Sequence, residues 1–478
     1  MAFHFYNEAV FDYPLSDVHN YYESPGTVVR LTPDWAATVV KEPTAGFSPG
    51  SQTEFVMGPP WAQALSHKNL GARWVAEHTV LQPHERFVDE MRSGPMRSWI
   101  HEHEFENTKE NKTIVRDKVS YEMPLEFIVR ALPERLQALT EQGVNAQLRR
   151  MFAYRTEQTE ADLEFQDFMR EYVSERDQKT FAISGVTGLV GTELSALLRS
   201  MGHKVRRLVR KSSGAQEEIV WDPANGFLDA NELIGVDIVI HLAGAPIAGR
   251  FTEEHKDRVY HSRIDSTRTL VEAMRTVIDQ GGPRTLVSAS ATGWYGRDVE
   301  NVSEDAEPGD DFLAHVCKDW EREASEAEKF GVRVVRVRTG LVLSARGGIL
   351  GAQLPLYFAG LGGPLAGGDM WLPWIGIEDL IRTYCFVSLN SAISGPVNAV
   401  SPNPVQQKTF ARTLGSITRR PSIAPTPKFA PKLLLGEQGA QELALSSCKA
   451  IPKVLEKAKY PFRHPMLEQA LSHTLGRY

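Results

Sequence analysis

Three glycines spaced by three residues, Gly185, Gly188 and Gly191, stand between a short apolar run and an amphipathic one. No other feature of the chain restricts its fold so tightly. Residues 180–184 (Thr-Phe-Ala-Ile-Ser) have the composition of a buried strand, and residues 192–202 read as a helix closed by Gly202. The first glycine permits a tight turn, the second lets backbone approach a pyrophosphate, and the third allows helix and strand to pack closely. The helix start then offers free N–H groups to an anion. Gly185, Thr187 and Gly188 in the turn, with Leu189, Val190 and Gly191 at the helix start, are therefore candidate dinucleotide-binding residues.

From Lys179 onward, short apolar strands alternate with helical stretches, which predicts an α/β fold with a doubly wound parallel sheet of Rossmann type. The second strand ends in Arg210 and Lys211, with Arg210 19 residues past Gly191. An NAD site would carry Asp or Glu there for the ribose hydroxyls, whereas two cations suit a 2′-phosphate, so NADP(H) is the expected cofactor. Asp222, at the end of the third strand, either bonds the adenine amino group or forms the turn before Pro223. The fourth strand, residues 236–241, breaks into Leu242, Ala243 and Gly244, small enough for a ribose and phosphate to pass close to the backbone. His241 is expected to pack at that strand end.

The 478 residues are enough for two or three cores. Residues 1–160 read as strands and turns followed by a long helix beginning at Leu125, which predicts an α+β domain with a curved antiparallel sheet gripping a helix. Residues 161–178 read as a polar, partly helical linker, 179–400 as the Rossmann domain, and 401–478 as a C-terminal piece. The net charge of −7 argues against general nucleic-acid or membrane-surface binding. Three widely spaced cysteines, Cys317, Cys385 and Cys448, form no CxxC pair and fit a reducing compartment. With neither a signal-like start nor an apolar run of about 18 residues, a cytoplasmic protein is expected.

Read in order, these segments resemble the extended short-chain dehydrogenase/reductases, the class of nucleotide-sugar epimerases and dehydratases. The resemblance runs from Thr180 to about Val400. It narrows to the epimerase family branch typified by short-chain dehydrogenase family 39U member 1, through residues 184–191, 241–247, 261–267, 288–296 and 360–380. It implies NADP contacts at Arg210, Leu242, Ala243, Arg258 and Arg263, with Leu341 near the nicotinamide end. Residues 408–478 resemble the small helical tail domain of that branch. Residues 1–160 are similar, at the level of pattern, to the helix-grip fold of START and pollen-allergen-like domains, which implies an apolar ligand between sheet and helix.

In the resembling superfamily a Ser polarises the substrate oxygen, a Tyr moves the proton, and a Lys four residues later depresses the Tyr pKa. Ser290 fits the first role and Lys318 the last, but Ala314 stands four residues before Lys318. Tyr295 and His315 are the substitutes considered for the proton relay; Tyr295 otherwise packs below the substrate, and His315 otherwise sits at the surface. Cys317 is expected to be a buried helix cysteine. His101 and His103 share one strand face, but without a third ligand at a telling spacing an exposed strand is expected. The acidic run Asp298, Glu300, Glu304, Asp305, Glu307, Asp310 and Asp311 is expected to be a solvated loop, or one ordered over the substrate. Two functions follow: an NADP(H)-dependent epimerase or oxidoreductase acting on a small hydroxyl- or carbonyl-bearing substrate, or a non-catalytic NADP(H)-binding sensor. The oligomeric state is not legible.

Overall fold

A computed structural model of the chain describes residues 2–43, 45–58, 71–124, 134–173, 177–427 and 429–477. Two compact units result. The first comprises Met1–Met169, Arg199–Gly202 and Ser472–Tyr478; the second comprises Arg170–Leu198 and His203–Leu471.

The first unit is built on one seven-stranded antiparallel sheet. Its strands are β1 (Phe3–Phe11), β2 (Ala37–Lys41), β3 (Gln52–Met57), β4 (Ala72–Gln82), β5 (Arg86–Ser93), β6 (Ser98–Asn107) and β7 (Thr113–Glu122), in the order β1-β7-β6-β5-β4-β3-β2. Strict alternation along β6 and β7 turns Trp99, His101, His103 and Phe105, and Val115, Asp117, Val119 and Tyr121, to the buried face. The unit also carries helices α1 (Leu15–Glu23) and α2 (Glu134–Met169), and a single short turn of helix at Thr27–Arg30. The α2 side chains Leu148 and Phe152 join Phe5, Trp99, Val119 and Tyr121 in one apolar cluster, while Leu163 joins Phe11, Tyr21, Phe87 and Phe105 in another.

The expected linker is corrected at its start. Residues 161–169 continue α2, and Asp162, Leu163 and Phe165 within them are buried. Asp162 is fixed by Arg30, whose Nε and Nη2 donate to its two oxygens at 3.0 and 2.9 Å, and by the Tyr21 hydroxyl at 2.9 Å. A fully buried carboxylate persists only with such complete pairing. The expected helix start at Leu125 falls within residues 125–133, outside the described residues.

The second unit contains β8 (Thr180–Ser184), α3 (Leu189–Ser200), β9 (Lys204–Val209), β10 (Glu218–Asp222), β11 (Phe227–Leu228), β12 (Ile238–His241), α4 (Glu253–Val277), β13 (Thr285–Ala291), α5 (Phe312–Ser325), β14 (Arg333–Thr339) and β15 (Gly395–Ala399). The sheet order is β11-β10-β9-β8-β12-β13-β14-β15, parallel throughout except for the β10–β11 edge pair. Strand order reverses between β8 and β12, which opens a crevice at their carboxyl ends. Because both faces are covered, β8 buries Phe181, Ala182 and Ile183 completely.

Residues 401–471, most of the expected C-terminal helical tail domain, fall in the same compact unit as the Rossmann sheet. Strand Cys448–Ala450 pairs in parallel with Val299–Val302. Asp379, in helix Ile377–Leu389, accepts hydrogen bonds from the backbone N–H groups of Arg463 and His464 at 2.7 and 2.9 Å. No helix among the described residues is long and apolar enough to cross a membrane.

Candidate nucleotide-binding site

The glycine turn sits where the strand order reverses, and its glycines are there for space. Gly185 has φ +70°, and a Cβ on it would lie 2.9 Å from the Leu242 carbonyl carbon. A Cβ on Gly191 would lie 2.7 Å from Val186 Cα, so α3 could not approach the turn with any side chain there. Thr187 and Gly188 are exposed, leaving the cradle open at the N-terminus of α3. These features fit a bound pyrophosphate.

The facing wall is pinned by hydrogen bonds that the sequence did not announce. Ser184 Oγ accepts from the backbone N–H groups of Leu242 and Ala243 at 3.1 and 3.2 Å and lies 2.6 Å from His241 Nδ1. The other His241 nitrogen lies 3.0 Å from Ser266 Oγ, whose own proton goes to the Ser262 carbonyl at 2.6 Å. That arrangement fixes the ring as the neutral Nε2–H tautomer, and His241 is a wall support, as its strand-end position suggested.

Burial, helped by the Arg263 charge, pushes the His241 pKa down to about 3. An unfolded histidine binds its proton near pH 6.5, so between about 6.5 and 3 the unfolded chain holds a proton that the folded chain lacks. Stability is therefore expected to fall as the pH drops below about 6.5, by up to about 1.4 kcal/mol per pH unit from this residue. Denaturant unfolding at pH 7.5 and 5.5, compared with His241→Gln, checks this: equal pH dependence in both proteins contradicts it.

Arg210 and Lys211 follow β9 and are exposed, and among the described residues neither has a hydrogen-bond or ion-pair partner. Asp222 is exposed, and its carboxylate accepts from the Asn225 side-chain amide at 2.7 Å, which is the turn-forming arrangement. Arg258 is exposed, with Nη2 3.1 Å from His255 Nδ1. Arg263 is buried. Its Nη1 donates to the Val259 and Ala245 carbonyls at 2.9 and 3.2 Å, its guanidinium lies over Trp320, and a Cβ on Gly244 would come within 3.2 Å of it. Arg263 thus braces the Gly244 turn from beneath. Leu341 is half-buried and donates its N–H to the Pro373 carbonyl at 2.6 Å.

The expected catalytic residues do not assemble into a relay. The Ser290 hydroxyl donates to Glu321 Oε1 at 2.7 Å, so its proton is not free for a substrate oxygen. Glu321 is held in turn by Arg338, whose Nε and Nη2 reach its two oxygens at 2.8 and 3.0 Å. Arg338 Nη1 donates to the Tyr295 hydroxyl at 3.2 Å, and Tyr295 donates to Asn398 Oδ1 at 2.6 Å. Tyr295 is buried among Val400, Cys448 and Ala450, and burial pushes its pKa up to about 12. Its position is the packing one, not a proton donor's.

Helix α5 meets the Ser290 strand end through residues other than Lys318. Position Glu321 bonds Ser290, Cys317 Sγ lies 3.8 Å from the Ala291 carbonyl, and Gly293 faces Leu313 and Cys317. Leu313, Cys317 and Glu321, four apart, therefore form the face that meets the Ser290 strand end. Lys318 lies about 100° further round the helix and is exposed. Burial raises the Cys317 thiol to about 12. His315 is exposed, its Nδ1 2.7 Å from the Asp311 carbonyl.

The acidic run is not uniformly solvated. Glu304 is buried, accepting from Asn398 and Val454 N–H groups at 3.0 and 3.2 Å, and Asp311 caps α5 through the Ala314 N–H at 2.9 Å. Glu321 and Arg338 were missed from sequence. The signal was present: Leu313, Val316, Cys317, Trp320 and Ala324 mark the inward arc of α5, and Glu321 lies within it.

The comparisons with known proteins follow the same division. Residues 181–399 match the NAD dependent epimerase/dehydratase family, and residues 426–474 match a domain of unknown function. An epimerase family protein of Mycobacterium bovis is 37% identical over 298 residues, 62% of this chain and 97% of that relative. The chloroplastic homologue of this type in Arabidopsis thaliana is 35% identical over 301 residues, 62% of this chain and 86% of the relative. A crystal structure described as the nucleoside-diphosphate sugar epimerase from Corynebacterium glutamicum superposes with a TM-score of 0.77 at 31% identity, covering 99% of this chain and 90% of that one. The human epimerase family protein SDR39U1, isoform 2, solved with NADPH, superposes with a TM-score of 0.57 at 29% identity, covering 63% of this chain and 100% of that one. The fold and the glycine turn define a nucleotide-binding short-chain dehydrogenase/reductase unit. The chain belongs to the NAD dependent epimerase/dehydratase family, in its epimerase family protein branch.

Proposed function

We propose that the second unit binds NADP(H) and serves as an epimerase-family oxidoreductase for a small hydroxyl- or carbonyl-bearing substrate, with a nucleotide sugar as the leading class. One observation carries the cofactor choice: Arg210 and Lys211 stand exposed after β9, without a partner among the described residues, where an NAD-specific site would present a carboxylate. The human relative solved with NADPH supports the same choice, and the Corynebacterium glutamicum relative's description supports the substrate class. Gly185, Thr187, Gly188, Leu189, Val190 and Gly191 would hold the pyrophosphate; Leu242, Ala243 and Gly244 would line the ribose path. Arg258 and Leu341 would flank the nucleotide, with Arg263 acting through the Gly244 turn and Asp222 at the adenine end. Bound there, a nicotinamide supplies a hydride donor or acceptor.

Proton movement is not assigned to Tyr295, which is buried in a hydrogen-bonded network, or to Lys318, which is exposed. Ser290 positions the floor of the site through Glu321. The same observation favours a second reading, a non-catalytic NADP(H)-binding regulator. Substrate-dependent NADPH oxidation or NADP reduction separates the two.

The direct test is the double variant Arg210→Ala/Lys211→Ala. Each lost charged hydrogen bond is worth about 1.5–3 kcal/mol, so NADPH affinity is expected to fall by well over about tenfold. NADH affinity is expected to stay near wild type, and Lys318→Ala is expected to leave both unchanged. NADPH binding that survives the double variant intact refutes the assignment.

For the first unit, the antiparallel sheet packed by α2 supports a helix-grip, START-like reading. Its interior is not uniformly apolar, so a wholly apolar ligand is not what its lining favours.

A further inference from the structure

Among the described residues of the first unit, His101 and His103 are buried, against the exposed strand expected for them. The reason is cross-strand. His101 pairs with Asp89 on β5, and His103 with Asp117 on β7, so strand alternation turns all four side chains to one face. The two imidazoles lie 3.8 Å apart, between the Phe87 ring on the His103 side and the Phe152 ring on the His101 side. No spacing in sequence signals this, because each carboxylate comes from a different strand.

Two kinds of distance divide the cluster. Asp117 Oδ1 lies 3.1 Å from His101 Nε2, a hydrogen bond, and 2.8 Å from His103 Nδ1, an ion-pair distance without hydrogen-bond alignment. Asn7 steadies the other oxygen at 3.4 Å. Asp89 Oδ1, on the opposite side, lies 3.8 Å from His101 Nδ1 and 3.6 Å from His103 Nε2. Those gaps are too wide for hydrogen bonds. They are slightly wider than the edge of a tetrahedral site, about 3.4 Å for bonds of about 2.1 Å, and all three ligand atoms lie within 4.8 Å of one another.

We propose that His101 Nδ1, His103 Nε2 and Asp89 form a three-ligand site for a divalent transition metal of the zinc or ferrous class, with Asp117 orienting the His101 imidazole and lying beside that of His103. A carboxylate on the far nitrogen of each ligating histidine is the usual outer support of such a centre, because it fixes the tautomer that leaves the inner nitrogen unprotonated. Two histidines and one carboxylate leave further coordination positions open to water or a ligand. Asp89 provides the approach: its side chain is 18% exposed, while those of His101, His103 and Asp117 are within a few per cent of fully buried. A divalent cation also offsets the two carboxylates brought together in the interior.

The test uses the full-length protein without a histidine tag, stripped with a chelator and dialysed. Zn²⁺ is titrated in competition with a chromophoric chelator, and Co²⁺ uptake is followed by its visible absorption. One equivalent per chain is expected, falling at least tenfold in affinity in Asp89→Asn and in His103→Gln. Asp117→Asn is expected to weaken binding by about 10- to 100-fold while keeping the stoichiometry. Far-UV circular dichroism confirms that each variant is folded. Asp89, at the rim, keeps the test decisive if a histidine variant is not. A wild-type protein that takes up no Zn²⁺, or a folded Asp89→Asn protein that takes it up as tightly as wild type, overturns the proposal.

Discussion

Replacing Arg338 by methionine is expected to destabilise the second unit by about 3–5 kcal/mol, the cost of leaving a buried partner charge uncompensated. Arg338 is 3% exposed and makes the two hydrogen bonds that neutralise Glu321, itself 4% exposed at the side chain. It also donates to the Tyr295 hydroxyl and the Glu304 carbonyl, and its guanidinium lies 3.8 Å from the Trp294 ring centroid. One substitution therefore orphans a carboxylate, removes hydrogen bonds from two further buried groups and takes a cation from an aromatic face. Ser290 loses its fixed partner at the same time. Thermal unfolding of the variant should begin well below that of wild type. A midpoint within a degree or two of wild type would show that the network carries little of the unit's stability.

Gly191→Val is expected to lower NADPH affinity on the order of 100-fold, equivalent to about 2.8 kcal/mol. The valine Cβ would stand 2.7 Å from Val186 Cα, with backbone on the opposing side that has no rotamer with which to yield. Either α3 or the Gly185 turn must move, and the N–H groups that converge on a pyrophosphate move with it. Gly202→Ala is the comparison. That glycine has φ +83° but nothing within 4 Å of its Cβ, so the substitution strains the helix end and leaves the turn in place. NADPH affinity in Gly191→Val equal to that in Gly202→Ala would remove the glycine turn from the binding site.

The Rossmann half was legible because its information is local. A strand, a glycine turn and a helix lie within 21 consecutive residues, and each glycine is demanded by contacts inside that segment or with the next strand end. The orientation of α5 was not legible in the same way. An error of one residue on a helix turns a side chain by about 100°, which exchanges an inward position for an outward one. Only contacts from β13 to Glu321 and Cys317 fix the register. The strands β2 and β3 are weakly marked in sequence because they are short and lack an alternation of apolar and polar residues. The His101–His103 pair shows the same limit. Its chemistry depends on Asp89 and Asp117, which sheet pairing supplies and sequence spacing does not. The expected linker at 161–169 looked polar, yet its buried Asp162 is satisfied by Arg30 from a distant part of the chain.

The central claim is that this family member selects NADP(H) through Arg210 and Lys211. Calorimetric titration of the full-length protein with NADPH and with NADH, at one fixed salt concentration, tests it most directly. NADPH is expected to bind at least about tenfold tighter, the value of one charged hydrogen bond to the 2′-phosphate. NADH binding as tight as NADPH would contradict it.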